Sequence, residues 1–279
     1  MPAPHCLYVG DDLRDAQAAR AAGMGFVAAR YGYAKGFGRY RETWEEKDLA
    51  TEMARTQAIT NEAASFLQGR RSEKPFLLWL HYVNPHAPYT PPAPFDTAFL
   101  DARVASSPRL PVVPGFHGGI PKQWAAPGKD RLGYYVAQYD GEIAAVDQEV
   151  GRVLDALAAS PVSGRTVVVL TSDHGESLGE HDYYFDHGED LFEPSMAIPL
   201  VVALPGAPAG VRSRALASTL DLVPTLLDLL KVSYPSDLAG VSLLPEVKGQ
   251  PSGAPRRSAG PAGSRADPMA ASWPSRQRL

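Results

Sequence analysis

The stretch TVVVLTSDHGESLGEHDYYFDHG, residues 166–188, decides how the fold is interpreted. It opens with an apolar, β-branched run, TVVVL, which predicts a strand that is covered on both faces. Three of the chain's seven histidines and five acidic residues follow within the stretch, directly after that strand. Because ligands of parallel α/β sheets lie beyond the carboxyl ends of the strands, we expect a binding site at this point.

Strand and helix patterns alternate on both sides of this stretch. Continuous apolar runs predict strands at 75–83, 166–172 and 199–206, and helical periodicity predicts helices at 47–69, 134–159 and 218–230. Residues 84–130 are rich in proline and glycine and predict a long ordered loop. Alternation of this kind favours an α/β sandwich around a largely parallel sheet.

The two ends of the chain differ from this central part. Residues 1–34 have the pattern of one β-α-β unit, whereas residues 35–245 form the main predicted domain. Residues 246–279 lack periodicity and are poor in aliphatic side chains, so we expect a disordered tail there. We therefore predict three segments of different character.

Composition excludes several classes of protein. The net charge of −4 and the scattered arginines of the tail give no reason to expect a nucleic-acid partner. No apolar run reaches the roughly 18 residues that a membrane span needs, and the first residues lack the pattern of a signal peptide. As written, the chain is expected to be cytoplasmic. Its one cysteine, Cys6, excludes an internal disulfide.

Asp173 and His174 are the candidate metal ligands. A carboxylate supplies a hard anionic oxygen and a neutral imidazole supplies a nitrogen, so adjacent residues of these types can share one divalent cation. Gly175 allows the backbone to turn sharply after them. The alternative is that Asp173 caps a short helix and that His174 is merely exposed.

His86 and His187 are the candidate catalytic and substrate-binding residues. His86 lies between two prolines in HYVNPHAPYTPP, residues 81–92, and a stiff loop there could hold its imidazole over a site. His187 could bind an anionic substrate or protonate a leaving oxygen, or it could be an ordinary surface histidine. We expect His81 to be packed in a strand and His181 to be a bystander.

Five ordered blocks of the sequence resemble sulfatases of the alkaline phosphatase superfamily over residues 36–245. The blocks are PFLLWLHYVNPHAPYTPP, YDGEIAAVDQEVGRVLDAL, VVVLTSDHGESLGEH, FDHGEDLFEPSMAIPLVVALPG and STLDLVPTLLDLL. The resemblance implies an alkaline-phosphatase-like sandwich that binds a divalent metal, usually Ca²⁺, with Mg²⁺ or Mn²⁺ as alternatives. It implies that Asp173 and His174 ligate the metal and that His86 and His187 bind the sulfate of a small-molecule or glycan ester. Members of the family are often periplasmic or secreted.

Other parts of the family pattern are not found where the family has them. We expect no nucleophile motif, C/S-x-P-x-R, in this chain, so formylglycine is not expected at a recognisable motif and the chain is expected to be inactive. Residues 1–34 instead resemble the last motif of haloacid-dehalogenase-type phosphatases, especially phosphoglycolate phosphatases. The sulfatase-like sandwich is thus expected to be incomplete at its N-terminal side. Asp11 and Asp12 would add metal ligands if the HCLYV strand took the place of the missing one.

Four functions therefore stay open at this stage, one of which, a Mg²⁺-dependent haloacid-dehalogenase-type phosphatase, rests on residues 1–34 alone. The first is a sulfatase-family hydrolase without its nucleophile. The second is a phosphate or phosphonate ester hydrolase of the same superfamily, and the third is a non-catalytic fusion or truncation product. The oligomeric state is not indicated by the sequence.

Overall fold

A computed structural model describes residues 5–8, 25–28, 39–41, 43, 46–71 and 74–250. Its strands are β1 (His5–Tyr8), β2 (Gly25–Ala28), β3 (Arg39–Tyr40), β4 (Phe76–Trp79), β5 (Val112–Val113), β6 (Ile120–Pro121), β7 (Thr166–Thr171), β8 (Ser177–Leu178), β9 (Tyr184–Asp186) and β10 (Leu200–Ala203). Its helices are α1 (Glu52–Gly69), α2 (Phe95–Ala98), α3 (Ala102–Ser106), α4 (Leu132–Ala158), α5 (Glu193–Met196), α6 (Leu222–Leu230) and α7 (Leu244–Val247).

Six strands form the main sheet, in the order β10-β7-β1-β4-β2-β3. β1 pairs in parallel with β7 on one side and with β4 on the other, so it joins the two strands that precede the candidate site. β2 pairs in parallel with β4 and β3, whereas β10 runs antiparallel to β7. β1 and β2 belong to the segment 1–34, and they lie in the same sheet as strands of the segment 35–245.

The side chains of β4 show how the sheet is covered on both faces. Phe76 and Leu78 pack in a cluster with buried residues of α1 and α4, and Leu77 and Trp79 pack in another cluster with buried residues of α6. Successive side chains of a strand point to opposite faces, so an unbroken apolar run requires helices on both sides. This arrangement confirms the predicted α/β fold class.

The helices begin where the sequence supplies capping groups. Thr51 precedes α1, and its hydroxyl accepts a hydrogen bond from the backbone N–H of Ala54 at 3.1 Å. Ser218 forms a capping box with Asp221 at the short 3₁₀ turn before α6. Pro224 is the third residue of α6, where a missing backbone N–H is tolerated.

Several predicted boundaries change in the structure. The predicted strand 75–83 ends at Trp79, so His81 lies beyond it rather than inside it. The segment 84–130 is ordered, as predicted, but it also contains α2, α3 and the small β5–β6 sheet. The disordered tail was predicted to begin at residue 246, but that residue lies inside α7. Residues 251–279 lie outside the described part. Among the described residues, no helix is both long and apolar enough to cross a bilayer.

Candidate functional site

The topology of the sheet places the predicted site residues at one edge. β4 and β7 both run parallel to β1, which lies between them, so their carboxyl ends meet at the same edge. His86 follows β4 in the chain, and Asp173 and His174 follow β7. Two loops that are distant in sequence therefore leave the sheet side by side.

Three of the predicted histidines lie within ring contact of one another. The ring centroid of His187 lies 3.5 Å from that of His174, with the planes inclined by 22°. The same ring lies 5.3 Å from that of His86, in an edge-to-face arrangement. Asp173 is adjacent, with its Oδ2 atom 3.6 Å from Nε2 of His174. The structure thus brings together the four predicted residues that it describes, whereas Asp11 and Asp12 lie outside the described residues.

The turn that carries Asp173 and His174 is fixed by Gly175. The Gly175 N–H donates a hydrogen bond to the carbonyl oxygen of Ser195 at 2.8 Å. A Cβ atom at Gly175 would lie only 1.9 Å from the carbonyl oxygen of Pro194, so no larger residue fits. Close packing against the segment before β10, rather than a positive φ angle, requires glycine here.

The tautomer of His174 follows from its backbone contact. Nδ1 of His174 lies 2.7 Å from the carbonyl oxygen of Gly175, which can only accept a hydrogen bond. This nitrogen therefore carries the proton, and Nε2 keeps a free lone pair in the neutral ring. Metal-binding histidines commonly show this arrangement, in which one ring nitrogen donates to a carbonyl and the other faces the metal.

His187 lies among carboxylates. Its Nδ1 atom is 3.3 Å from Oε1 of Glu176 and 3.9 Å from Oδ1 of Asp186. The hydrogen bond to Glu176 raises the pKa of His187 above its usual value, and the charges of Glu176, Asp186 and Asp173 add to the effect, while burial opposes it. The surroundings therefore favour an imidazolium that can bind an anion or donate a proton. The loop is held in part by Tyr183, whose hydroxyl donates to the carbonyl oxygen of His187 at 3.0 Å.

His86 is exposed at the tip of its loop. Its Nδ1 atom lies 2.7 Å from the carbonyl oxygen of Ala87, and its backbone N–H donates to Val83 at 3.1 Å. The ring of Trp124 stands edge-to-face against it, with 6.5 Å between the centroids. Among the described residues, the hydrogen bond of this ring is made by Nδ1 and not by Nε2.

The chemistry of the donor groups fits a divalent cation. Ligand atoms of Glu176, Asp186 and His187 lie within 4.8 Å of one another. The predicted pair, Asp173 and His174, lies beside this group through the stacked rings of His174 and His187. Carboxylate oxygens with imidazole nitrogens suit Ca²⁺, Mg²⁺ or Mn²⁺ when oxygen predominates. The group formed by Glu176, Asp186 and His187 thus has the donor atoms that a divalent cation needs.

His181 and His117 make their contacts outside this group. His181 stacks on Phe192 with 3.6 Å between the ring centroids. His117 stacks on Tyr183, and its Nε2 atom lies 3.0 Å from a carboxylate oxygen of Glu189. His117 was given no role by the sequence, because its loop has no motif.

Two further residues of the site were not predicted from the sequence. Glu176 belongs to the DHGE block, but its contact with His187 depends on a loop that returns eleven residues later. Tyr89 has a buried hydroxyl, and no described residue lies in hydrogen-bonding geometry to it. Burial raises the pKa of Tyr89 well above 10, and the charge of Glu176 adds to the effect.

Comparisons with known proteins give the context of this geometry. A family model described as Sulfatase matches residues 16–232. A sulfatase of Formosa agariphila is 30% identical over 253 residues, which cover 80% of this chain and 47% of that protein. An N-acetylglucosamine-6-O-sulfatase of Bacteroides thetaiotaomicron is 37% identical over 117 residues, which cover 42% of this chain and 21% of that protein. This chain therefore spans less than half of the length of either relative.

The fold has counterparts among solved structures. The phosphonate monoester hydrolase of Agrobacterium radiobacter superposes with a TM-score of 0.69 at 22% identity, covering 86% of this chain and 62% of that one. The haloacid-dehalogenase-type resemblance of residues 1–34 gains no support, since the sulfatase match already begins at residue 16. With the family model matching most of its length, this chain belongs to the sulfatase family of the alkaline phosphatase superfamily.

Proposed function

We propose that this chain carries the sulfate-binding half of a sulfatase-type ester hydrolase site. The observation that carries the proposal is the contact of His187 with both His86 and His174. In this proposal, Asp173 and His174 hold a divalent cation, whereas His86 and His187 bind the oxygens of the sulfate. In a site completed by its nucleophile, His187 would also donate a proton to the leaving oxygen of the ester.

The charges around His187 support its role. Glu176 is nearly buried and accepts from Nδ1, so the positive charge of the imidazolium is stabilised while Nε2 can face the substrate. His86 stands nearly perpendicular to it, at 81°. Two imidazoles at this separation can approach different oxygens of one tetrahedral oxyanion.

Two donor sets can hold the cation, and we favour Asp173 with His174. This choice leaves His187 free to contact the substrate, and it uses the His174 nitrogen that the Gly175 carbonyl leaves unprotonated. When bound, the cation supplies positive charge that balances the charge of the ester oxyanion. Ca²⁺ is the proposed ion because the family usually carries it. If the set Glu176, Asp186 and His187 bound it instead, replacing Asp186 by Asn would weaken Ca²⁺ binding more than replacing Asp173 by Asn.

Sulfate esters of small molecules or glycans are the proposed substrate class. The relative from Bacteroides thetaiotaomicron is named for removal of a glucosamine-derived 6-O-sulfate, which supports the glycan option. A phosphonate ester is the second candidate, supported by the fold shared with the Agrobacterium radiobacter enzyme. Both are tetrahedral oxyanions, so the described residues can accommodate either.

Catalysis by the chain depends on its nucleophile. The expectation about the C/S-x-P-x-R motif needs one correction: residues 272–276, SWPSR, match S-x-P-x-R near the end of the sequence. This match follows the other blocks instead of preceding them, and it lies outside the described residues. We propose that it does not serve the site and that the chain binds sulfate without useful turnover. Loss of a nucleophile typically lowers the rate by about three to six orders of magnitude.

Binding of inorganic sulfate, measured by calorimetry in the presence of Ca²⁺, tests the site directly. We expect binding by the unaltered chain and its loss in His86→Ala and His187→Ala. His181→Ala is the matched control, since that ring stacks on Phe192 outside the group. Equal binding by all four proteins would refute the assignment of the sulfate to these histidines.

Turnover of an aryl sulfate and an aryl phosphonate tests the activity separately. We expect no hydrolysis of either above the solution rate. Turnover typical of sulfatases would overturn the proposed inactivity. If Ser272→Ala then abolished it, the terminal motif would be the nucleophile.

A further inference from the structure

Glu142 is a buried carboxyl that the proposed reaction does not use. It lies on α4 and is 2% exposed. The backbone N–H of Thr90 donates to its Oε1 atom at 2.7 Å, and the side-chain amide of Asn84 donates to its Oε2 atom at 3.2 Å. Thr56 on α1 completes the network by donating from its hydroxyl to Oδ1 of Asn84 at 2.8 Å.

The two donors stand on either side of His86 in the chain. Asn84 lies two residues before His86 and Thr90 lies four residues after it, so one carboxylate receives both ends of the loop. The same contact fixes the loop relative to α4, a helix that contributes none of the proposed ligands. The position of the His86 imidazole is therefore tied to a side chain more than fifty residues away in sequence.

Neighbouring residues of α4 fit closely against the continuation of this loop. Gln138 lies one turn before Glu142, and its amide donates to the carbonyl oxygen of Asp96 at 2.8 Å. A Cβ atom at Gly141 would lie 2.6 Å from the carbonyl oxygen of Phe95. The loop thus has little freedom to slide along the helix.

The chemistry of the contact favours an ionised carboxyl. Both partners are N–H donors, and a carboxylate accepts at both oxygens whereas a protonated carboxyl presents an O–H to one of them. Burial, the largest influence, raises the pKa of Glu142 to about 7, and the charge of Glu52 raises it too, while the bonds from Thr90 and Asn84 lower it. Burying a carboxylate costs free energy unless hydrogen bonds compensate for the lost water, and here both of its oxygens accept one.

We propose that Glu142 is a positioning residue that holds the loop 84–90 so that the His86 imidazole faces His187. It acts through Asn84 and Thr90 and touches neither the substrate nor the cation. Only the reason for positioning His86, which is to bind an oxyanion, rests on the proposed function. The positioning of the loop by Glu142 does not depend on it.

Imidazole NMR signals, recorded at pH 8 where Glu142 is ionised, test the claim. His86→Ala assigns the His86 signals by their disappearance. We expect Glu142→Ala to shift the His86 signals and to abolish the shift that inorganic sulfate produces in them. Glu142→Gln keeps one acceptor and the size of the side chain, so it should shift them less.

Glu149→Gln is the matched control. Glu149 lies two turns further along α4, is 3% exposed, and accepts from Arg152 at 2.6 Å rather than from the loop. The positioning role is overturned if Glu149→Gln shifts the His86 signals as much as the Glu142 variants do. It is also overturned if Glu142→Gln, folded as judged by circular dichroism, leaves those signals in place.

The two proposals can fail separately. If inorganic sulfate shifts no histidine signal in the unaltered chain, the proposed function fails. The His86 shift between the unaltered chain and the Glu142 variants still decides the positioning role. Should Glu142→Ala not fold, the Glu142→Gln comparison decides it alone.

Discussion

The loops after β4 and β7 each place histidines at the same edge of the sheet, but they are held in different ways. In the loop after β7, His187 is held by residues close in sequence, since Tyr183 donates to its carbonyl oxygen and Glu176 contacts its ring. The loop after β4 is fixed from a distance, by Thr56 on α1 and Glu142 on α4. Contacts of the first kind can be encoded within one sequence motif, whereas contacts of the second kind form only when distant parts of the chain fold together.

The largest effect is expected in the locally held loop, at Gly175→Ala. The added Cβ would lie 1.9 Å from the Pro194 carbonyl oxygen, so the turn has to move. Overpacking of this kind costs roughly 3 kcal/mol of unfolding free energy. Urea denaturation measures it, with Gly151→Ala on α4 as the control, since a Cβ there meets no atom within 4 Å. Equal stability of the two variants would show that the turn is not tightly packed.

A pH dependence is expected from the distantly held loop. The carboxyl of Glu142 has an ordinary pKa of 4.5 and a folded-state pKa of about 7, with Glu52 and the neutral phenol of Tyr89 as its titratable neighbours. Between these values the folded chain keeps a proton that the unfolded chain releases, so stability falls as the pH rises through this window.

Glu142→Gln cannot titrate, which makes it the reference for this effect. Relative to the variant, the unaltered chain should lose on the order of 2 kcal/mol of unfolding free energy from pH 5 to pH 8. Denaturation at several pH values measures the difference. Parallel stability curves for the two proteins would mean that Glu142 keeps its ordinary pKa.

A smaller effect is expected when the far end of the network is removed. Thr56→Val keeps the shape of the side chain but leaves Oδ1 of Asn84 without its donor, at a cost of about 1–2 kcal/mol. The His86 NMR signals should shift as well. In the control, Thr60→Val on the same helix, a hydroxyl contact with Tyr82 is lost instead, and the His86 signals should stay in place. A His86 shift in both variants would point to general loosening of α1.

The smallest change is expected at Tyr183→Phe. It removes one hydrogen bond to the His187 carbonyl, worth about 1 kcal/mol, and leaves the buried ring in place. The His187 signals should broaden in NMR spectra, whereas the His86 signals should not. Tyr184→Phe next to it is the control. Unchanged His187 signals would show that the loop after β7 is held without this bond.

The sequence predicted the α/β class and several helices, because apolar runs and capping residues act locally. Ser218 and Pro224, for example, indicate the start of α6 without any tertiary information. The grouping of His86 with His174 was predicted from strand ends, since topology alone brings these together. The contacts of Glu142 could not be predicted, because a glutamate on a helix with mixed polarity is usually exposed.

The central position of β1 limits where this chain can be divided. β1 pairs on one side with β7 and on the other with β4, so it is the only described strand that connects the two halves of the sheet. A fragment beginning at residue 35 would expose the backbone N–H and C=O groups of both neighbouring strands as open edges. Such edges promote aggregation. Expression of that shortened fragment should therefore give insoluble protein, however sulfatase-like its sequence is.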